Sequence, residues 1–141
     1  IAAYRSRISG PLLDRIDLHV EVPRVSTTDI ARAEPAEPSA AVAARVAVAR
    51  VRQVERQGRA NARLDGSSVA RLVRADAAAL ALLASAMQRL ALSARAYHRV
   101  LRVARTIADL AGSATVGTEH VAEAITLRQL DRRIGGAAIS D

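Results

Sequence analysis

Apolar residues at helical spacing restrict the fold of this chain more than any other feature. Between residues 39 and 134 they recur every three or four positions in four separate segments, which places them along one side of an α-helix. Polar residues that commonly begin helices precede the segments, and glycines follow three of them. The pattern predicts an all-α fold, a small four-helix bundle.

The limits of each helix follow from its flanking residues. The expected N-caps are polar side chains, in chain order Ser39, Asp76, Ser93 and Thr118. The expected ends of the first, third and fourth helices are about Gln57, Gly112 and the pair Gly135–Gly136. Between the first two helices, residues 61–73 predict a turn followed by a single turn of helix.

The apolar stripes predict which side of each helix is buried. On the first helix the stripe comprises Ala44, Ala47, Val51 and Val54. On the third it comprises Val100, Val103, Ile107 and Leu110. A second apolar row lies beside the stripe of the third helix, so this helix should contact several neighbours at the centre of the bundle.

The first part of the chain has a different pattern. Residues 16–22 alternate apolar and polar side chains, which is the period of a half-buried strand. A lone strand is not stable, so residues 1–25 are expected to be a short strand or a disordered remnant of a larger unit. Residues 26–38 predict a linker, residues 39–134 the helical domain and residues 135–141 a flexible tail.

The charge distribution bears on the partners. The formal net charge is +7, and all 21 basic residues are arginines. A basic chain favours phosphate-bearing partners, although arginine in place of every lysine also fits a coding bias toward GC-rich codons. A P-loop needs a lysine that reaches the terminal phosphates of a nucleotide, so this chain should not hydrolyse ATP alone. Because it begins at Ile1 rather than methionine, we expect a fragment of a longer protein.

Several classes of protein are disfavoured. The chain has no cysteine, which excludes disulfides and thiolate metal sites. It has no apolar run of about 18 residues and no signal peptide, which predicts a cytoplasmic protein with no membrane partner. His19, His98 and His120 fall in three different elements, so no metal site is expected.

Two motifs in the correct order carry a family resemblance. They are residues 4–18, YRSRISGPLLDRIDL, and residues 92–110, LSARAYHRVLRVARTIADL. Over most of its length the chain closely resembles the C-terminal end of magnesium-chelatase-like AAA+ ATPases of the ComM/YifB family. The resemblance implies that residues 1–25 end the ATPase core and that the helical domain is its lid. It also implies ATP and Mg²⁺ in the full-length protein, and a ring of neighbouring subunits that we expect to be a hexamer.

The same resemblance implies roles for two arginines. Arg15 is the candidate arginine finger, which would act in trans at the nucleotide of a neighbouring subunit; the alternative is an ion pair with Asp14 or Asp17. Arg95 matches the sensor-2 arginine, which contacts the ATP phosphates. A planar, permanently charged guanidinium suits both roles.

Other charged residues of the third helix predict structural roles. Arg99 and Arg102 follow Arg95 on nearly the same helical face and predict a solvated surface. Arg105 and Asp109 lie four positions apart and predict a local surface ion pair that contributes little to stability.

A basic stripe on the first helix is a candidate for nucleic-acid contacts, comprising Arg45, Arg52, Arg56 and Arg59. Without aromatic residues among them, a solvated face is the stronger interpretation. The family resemblance implies a motor that acts on DNA in recombination or transformation. Two alternatives stay open: the lid of a magnesium-chelatase ATPase subunit that drives metal insertion into a porphyrin, and a standalone arginine-rich helical DNA-binding module.

Overall fold

The helices follow the order that the periodicity predicts, with additions. The computed structural model describes residues 15–20, 22, 24–31 and 36–128. Its α-helices are α1 (Thr27–Ala31), α2 (Ser39–Gln57), α3 (Gly66–Leu72), α4 (Ala77–Arg89), α5 (Ala94–Ala111) and α6 (Thr118–Thr126), and a 3₁₀-helix spans Asn61–Arg63. The regular structure of the described residues is helical, which confirms the all-α prediction. The short helix α1 lies in the segment predicted as a linker.

Helix α5 lies at the centre of the bundle. Ala96, Val100, Leu101, Ala104 and Ala108 are buried on it, and it packs against α2, α3, the 3₁₀-helix and α6. Helix α4 packs against α6 and completes the core. Each large apolar side chain that is buried stabilises the fold by about 1.5–3 kcal/mol, while the alanines let the helices approach closely.

Only part of the stripe predicted on α5 reaches this core. Val100 is buried, whereas Val103 and Ile107 are partly buried and Leu110 is 49% exposed. The last three residues line an apolar groove of about 330 Å³ beside Leu18. The predicted burial of Leu110 is wrong, because none of the described elements covers that end of the stripe.

Two of the four predicted N-caps and the predicted glycine end of α5 are confirmed. The Asp76 carboxylate accepts a hydrogen bond from the backbone N–H of Ala79 at 2.7 Å and thereby begins α4. The Ser93 hydroxyl accepts one from Ala96 at 3.2 Å and begins α5. Gly112 ends α5 with φ of 77°, a left-handed conformation that glycine adopts without steric cost.

Two predicted N-caps are wrong by one residue. Ser39 is the first residue of α2 rather than its cap, which is Pro38. Thr118 is the first residue of α6, whose cap is Gly117. At α6 the capping group is the His120 ring, because its Nδ1 accepts a hydrogen bond from the Gly117 N–H at 3.0 Å.

The region between the first two predicted helices is more ordered than its composition suggests. Helix α3 begins at Gly66, where the Asp65 carboxylate accepts hydrogen bonds from the Ser68 N–H at 2.8 Å and the Ser67 hydroxyl at 2.7 Å. Val69 is fully buried in the core. A helix is therefore present where a single helical turn was predicted, and it extends to seven residues because α5 supplies the apolar surface that it needs.

The buried side of α2 is not the predicted one. Ala44, Ala47, Val51 and Val54 are all exposed, the last two by 53% and 47%. Ala49 and Gln53 are buried instead. This side of α2 faces the bundle through a polar contact, because the Gln53 side-chain oxygen accepts a hydrogen bond from the Asn61 N–H at 3.0 Å.

The strand predicted for residues 16–22 is also wrong for the part that the structure describes. Residues 15–20 and 22 form no strand, and the burial alternates in the opposite sense: Leu18 is 48% and Val20 66% exposed, whereas His19 is 9% exposed. The segment lies against the end of α6, where the His19 N–H donates to the Leu127 carbonyl at 2.7 Å. No other strand is available to it among the described residues.

Helix α6 ends at Thr126, earlier than predicted. Gly135–Gly136 and the tail predicted for residues 135–141 lie outside the described residues, as does most of residues 1–25. Among the helices that the structure describes, none has the length and apolar composition needed to cross a membrane.

Candidate functional site

Arg95 is the second residue of α5 and lies in its first turn, after the Ser93 cap. Its side chain is exposed, and it has no hydrogen-bond or ion-pair partner within residues 15–20, 22, 24–31 and 36–128. The unpaired backbone N–H groups at a helix N-terminus add positive potential at this position. Arg95 therefore offers a free guanidinium to an anion, and its predicted sensor-2 role stays a prediction.

The segment that contains Arg15 packs against the same helix. Arg99, one turn beyond Arg95, donates from Nη1 to the Arg15 carbonyl at 2.6 Å. Its guanidinium also forms an ion pair with the Asp17 carboxylate. The Arg15 side chain is exposed. Arg99 thus links the backbone of Arg15 to the helix that carries Arg95.

Arg99 and Arg102 are not the solvated residues that their spacing predicts. Their side chains are only 19% and 20% exposed. Arg102 Nη2 lies 3.9 Å from the Asp17 carboxylate, and its Nη1 donates to the Leu64 carbonyl at 3.0 Å. They are partly buried because residues 15–20 cover this face of α5.

The alternative assignment for Arg15, an ion pair with Asp17, is not what the structure contains. Asp17 is paired with Arg99 and lies near Arg102. Asp14, the other proposed partner, lies outside the described residues. What contacts the bundle is the Arg15 backbone, which leaves its guanidinium on the surface.

A second polar cluster is centred on Arg105 and Asp109, which are buried, so the prediction of a surface pair is wrong. Arg105 is 0% and Asp109 1% exposed, and Arg105 Nη2 lies 3.0 Å from the Asp109 carboxylate. Arg105 also donates to the carbonyls of Val73, Ser113 and Ala114 at 3.3, 2.5 and 3.0 Å. Burial lowers the pKa of Arg105 from its usual value, and the surrounding acceptors stabilise its charge.

Asp109 receives further donors from two other elements. Arg56 of α2 donates to its two oxygens at 2.6 and 2.9 Å, and the Asn61 side-chain amide donates at 2.8 Å. Burial alone would raise the pKa of Asp109, but the hydrogen bonds from Arg56 and Asn61 and the charge of Arg105 outweigh it, so the pKa is lowered. The cluster joins α2, the 3₁₀-helix and α5. The sequence feature that indicates burial of Arg105 is its position four residues after Leu101, on the same face of the helix.

The basic stripe of α2 is largely engaged within the protein. Arg45 is exposed and paired with Glu37, which raises the pKa of Arg45. Arg52 donates to the Asp109 carbonyl at 2.5 Å, and Arg56 is held by the Asp109 side chain. Arg59, beyond the end of α2, is exposed. The nucleic-acid role of these four residues stays a prediction.

The histidines have separate surroundings. The rings of His98 and Tyr97 pack edge to face with centroids 5.4 Å apart, His120 caps α6 and His19 is buried near the end of α6. Within the described part of the chain, no group of three or more His, Cys, Asp or Glu side chains is placed to hold a metal ion.

Comparison with known families adds to this geometry. The family profile described as "Magnesium chelatase, subunit ChlI C-terminal" matches residues 36–128. The chain belongs to this ChlI C-terminal family. A second profile, "Magnesium chelatase, subunit ChlI", matches residues 1–30. The first match of this ChlI-type chain covers the helical bundle, and the second includes the segment of Arg15.

Relatives of this ChlI-family chain place it with the ComM/YifB type. It is 40% identical over 133 residues to competence protein ComM of Haemophilus influenzae, which covers 94% of this chain and 26% of the relative. It is 39% identical over 130 residues to YifB of Escherichia coli, with coverage of 92% and 26%. An uncharacterized protein of Mycobacterium tuberculosis is 39% identical over 134 residues, with coverage of 92% and 26%. The chain spans about a quarter of the length of these relatives.

Proposed function

We propose that this chain is the lid end of an AAA+ ATPase, in which Arg95 contacts the terminal phosphate of ATP and Arg15 acts as an arginine finger at the nucleotide of a neighbouring subunit. The observation that carries the proposal is the exposed Arg95 at the start of α5, on the helix against which the Arg15 segment packs. The ComM/YifB type of the sequence supports the same assignment.

The chemistry required of these residues is electrostatic. A guanidinium stays charged at every physiological pH and can stabilise the charge that develops on a transferring phosphoryl group. Arg95 has the helix N-terminus beside it, which also favours an anion. ATP and its Mg²⁺ would be held mainly by a P-loop in another part of the longer protein, because the chain has no lysine.

We propose that the longer protein forms a ring of subunits, a hexamer by family resemblance, that acts on DNA. The support is the similarity to a protein named for competence. The ChlI description of the family supports the alternative of a chelatase lid, but the relatives with about 40% identity include ComM and YifB. The third alternative, a standalone DNA-binding module, has less support because Arg52 and Arg56 contact Asp109.

The test is ATP hydrolysis by the longer protein. We expect Arg15→Ala to lower turnover by about 10³- to 10⁵-fold, the range for an arginine finger, and Arg95→Ala to abolish measurable hydrolysis. Arg89→Ala, at an exposed position in the last turn of α4, is the matched control and should hydrolyse ATP normally. Circular dichroism and gel filtration would establish that all three variants fold and assemble. Normal turnover of both the Arg15 and Arg95 variants would refute the proposal.

A further inference from the structure

The Asp17 carboxylate lies between two arginines on successive turns of α5. It is paired with Arg99 and lies 3.9 Å from Arg102 Nη2. The same Arg99 guanidinium also donates to the Arg15 carbonyl at 2.6 Å. We call these three side chains, Asp17, Arg99 and Arg102, the Asp17 clamp. It connects the backbone of one proposed functional arginine to the helix that carries the other.

The clamp is more than an exposed ion pair. Exposed pairs are mobile and contribute little to stability. The Asp17 side chain is 41% exposed, but both arginines are only about a fifth exposed and have additional backbone acceptors. Arg99 Nη1 is shared between the Asp17 carboxylate and the Arg15 carbonyl, which holds the two acceptors close together. The arrangement is therefore suited to defining position.

Neighbouring contacts restrict the same segment. Arg128 Nη1 donates to the Ile16 carbonyl at 3.0 Å, and the His19 N–H donates to Leu127. Residues 15–19 are thus attached to α5 by side chains and to the end of α6 by their backbone. All of these contacts leave the Arg15 side chain on the surface.

From this geometry we infer that Asp17 is a positioning residue for the arginine finger: the Asp17 clamp holds Arg15 in a fixed relation to α5, so that a displacement of α5 at Arg95 also displaces Arg15. The inference rests on the proposed function. In this inference Asp17 acts on hydrolysis through Arg15 and not by contact with the nucleotide. A carboxylate suits this position because it accepts a hydrogen bond from Arg99 and its negative charge also lies 3.9 Å from the Arg102 guanidinium.

The first experiment compares steady-state ATP hydrolysis by the longer protein and its variants. A misplacement of about 1 Å can cost about 100-fold in rate, so we expect Asp17→Asn to lower kcat by about 10- to 100-fold with KM for ATP unchanged. Asp17→Glu, which keeps the charge, should recover most of the rate. Glu37→Gln also removes a carboxylate paired with an arginine, and as the matched control it should hydrolyse ATP normally.

The second experiment separates positioning from damage to the fold. Asp17→Asn subunits are mixed with subunits in which the P-loop lysine of the longer protein is replaced by alanine. The latter cannot hydrolyse ATP but have an intact clamp and finger. Mixed rings should regain hydrolysis, because they place a normal Arg15 next to the intact nucleotide site of the Asp17→Asn subunit. A defect confined to the Asp17→Asn subunit's own site would show no such recovery.

The outcomes distinguish this inference from the function on which it rests. Normal hydrolysis by Arg15→Ala would refute the arginine finger itself. Loss of hydrolysis in Arg15→Ala with a normal kcat in Asp17→Asn would overturn only the clamp. If Asp17→Asn does not assemble, the double variant Arg99→Gln with Arg102→Gln removes the two arginines of the clamp instead. With either variant, failure of the mixed rings to regain ATP hydrolysis would overturn the inference.

Discussion

Arg56 of α2 and Asp109 of α5 form a bidentate ion pair, with nitrogen-to-oxygen distances of 2.6 and 2.9 Å. Asp109 is also paired with Arg105, so one buried carboxylate accepts from two guanidiniums and from Asn61. This cluster attaches α2 to the bundle by polar contacts, in contrast to the apolar packing of α5 against α6.

Removal of the shared carboxylate should be severely destabilising. Asp109→Ala leaves the fully buried Arg105 without its counter-ion, and breaking a buried pair in this way costs about 3–5 kcal/mol. Arg56→Gln should cost less, since the Arg56 side chain is 14% exposed and water can solvate part of its partner. Urea unfolding of the 141-residue chain measures both. Arg45→Gln, at an exposed pair, is the control, and equal midpoints for all three variants would contradict the prediction.

Acid should weaken the start of α3. Hydrogen bonds from the backbone of Ser68 and the side chain of Ser67 lower the pKa of Asp65 to about 2, from an ordinary value of 3.8. Because the folded-state pKa is lower than that of the unfolded chain, the cap stabilises fully above about pH 4 and is lost as the pH falls toward 2. Thermal unfolding of wild type and Asp65→Asn over this range tests it.

The Asp65→Asn variant should have a shallower decline in melting temperature with acid than the wild type. Some decline must persist in the variant, because the pKa of Asp109 is lowered too and has the same sign. Identical pH profiles for the two proteins would mean that the Asp65 cap does not contribute.

Two glycines in left-handed conformation allow a matched comparison. Gly58 has φ of 72° and Gly112 has φ of 77°, so alanine at either should cost roughly 1–2 kcal/mol in backbone strain. A Cβ at Gly58 would meet open space, whereas one at Gly112 would lie 3.3 Å from Arg52 Nη2. Gly112→Ala should therefore be the more destabilising in chemical denaturation. A larger effect at Gly58 would contradict the observed Arg52 contact.

Arg56 of α2 and Arg59, just beyond its end, should differ in what their loss affects. We expect Arg56→Gln to lower stability with little change in DNA affinity, because its guanidinium is held by Asp109. Arg59→Gln, at an exposed residue, should leave stability unchanged. Gel-shift titrations of the chain at two salt concentrations measure any DNA affinity, whose phosphate contribution falls steeply with salt. A large loss of DNA affinity in Arg56→Gln at unchanged stability would contradict this prediction and support a nucleic-acid contact by Arg56.

How much of the site was predictable depends on the range of each interaction. Arg95 was found by its position after the Ser93 cap within a family motif, and Arg15 by a second motif. Their connection through Arg99 and Asp17 was not visible, because these two residues are far apart along the chain. The sequence alone pointed to a solvated Arg99.

The sequence by itself determined the all-α class and the starts and ends set by Asp76, Ser93 and Gly112, because a cap and the backbone groups it satisfies lie within a few residues of one another. Only the tertiary structure decided which side of α2 is buried, that Arg105 and Asp109 are internal, and that residues 15–20 lie on α5 rather than in a strand. Each of these depends on what lies opposite the residue in space. A partner such as Asp109 for Arg56, or Asp17 for Arg99, allows burial of a charge that the local sequence would leave in water.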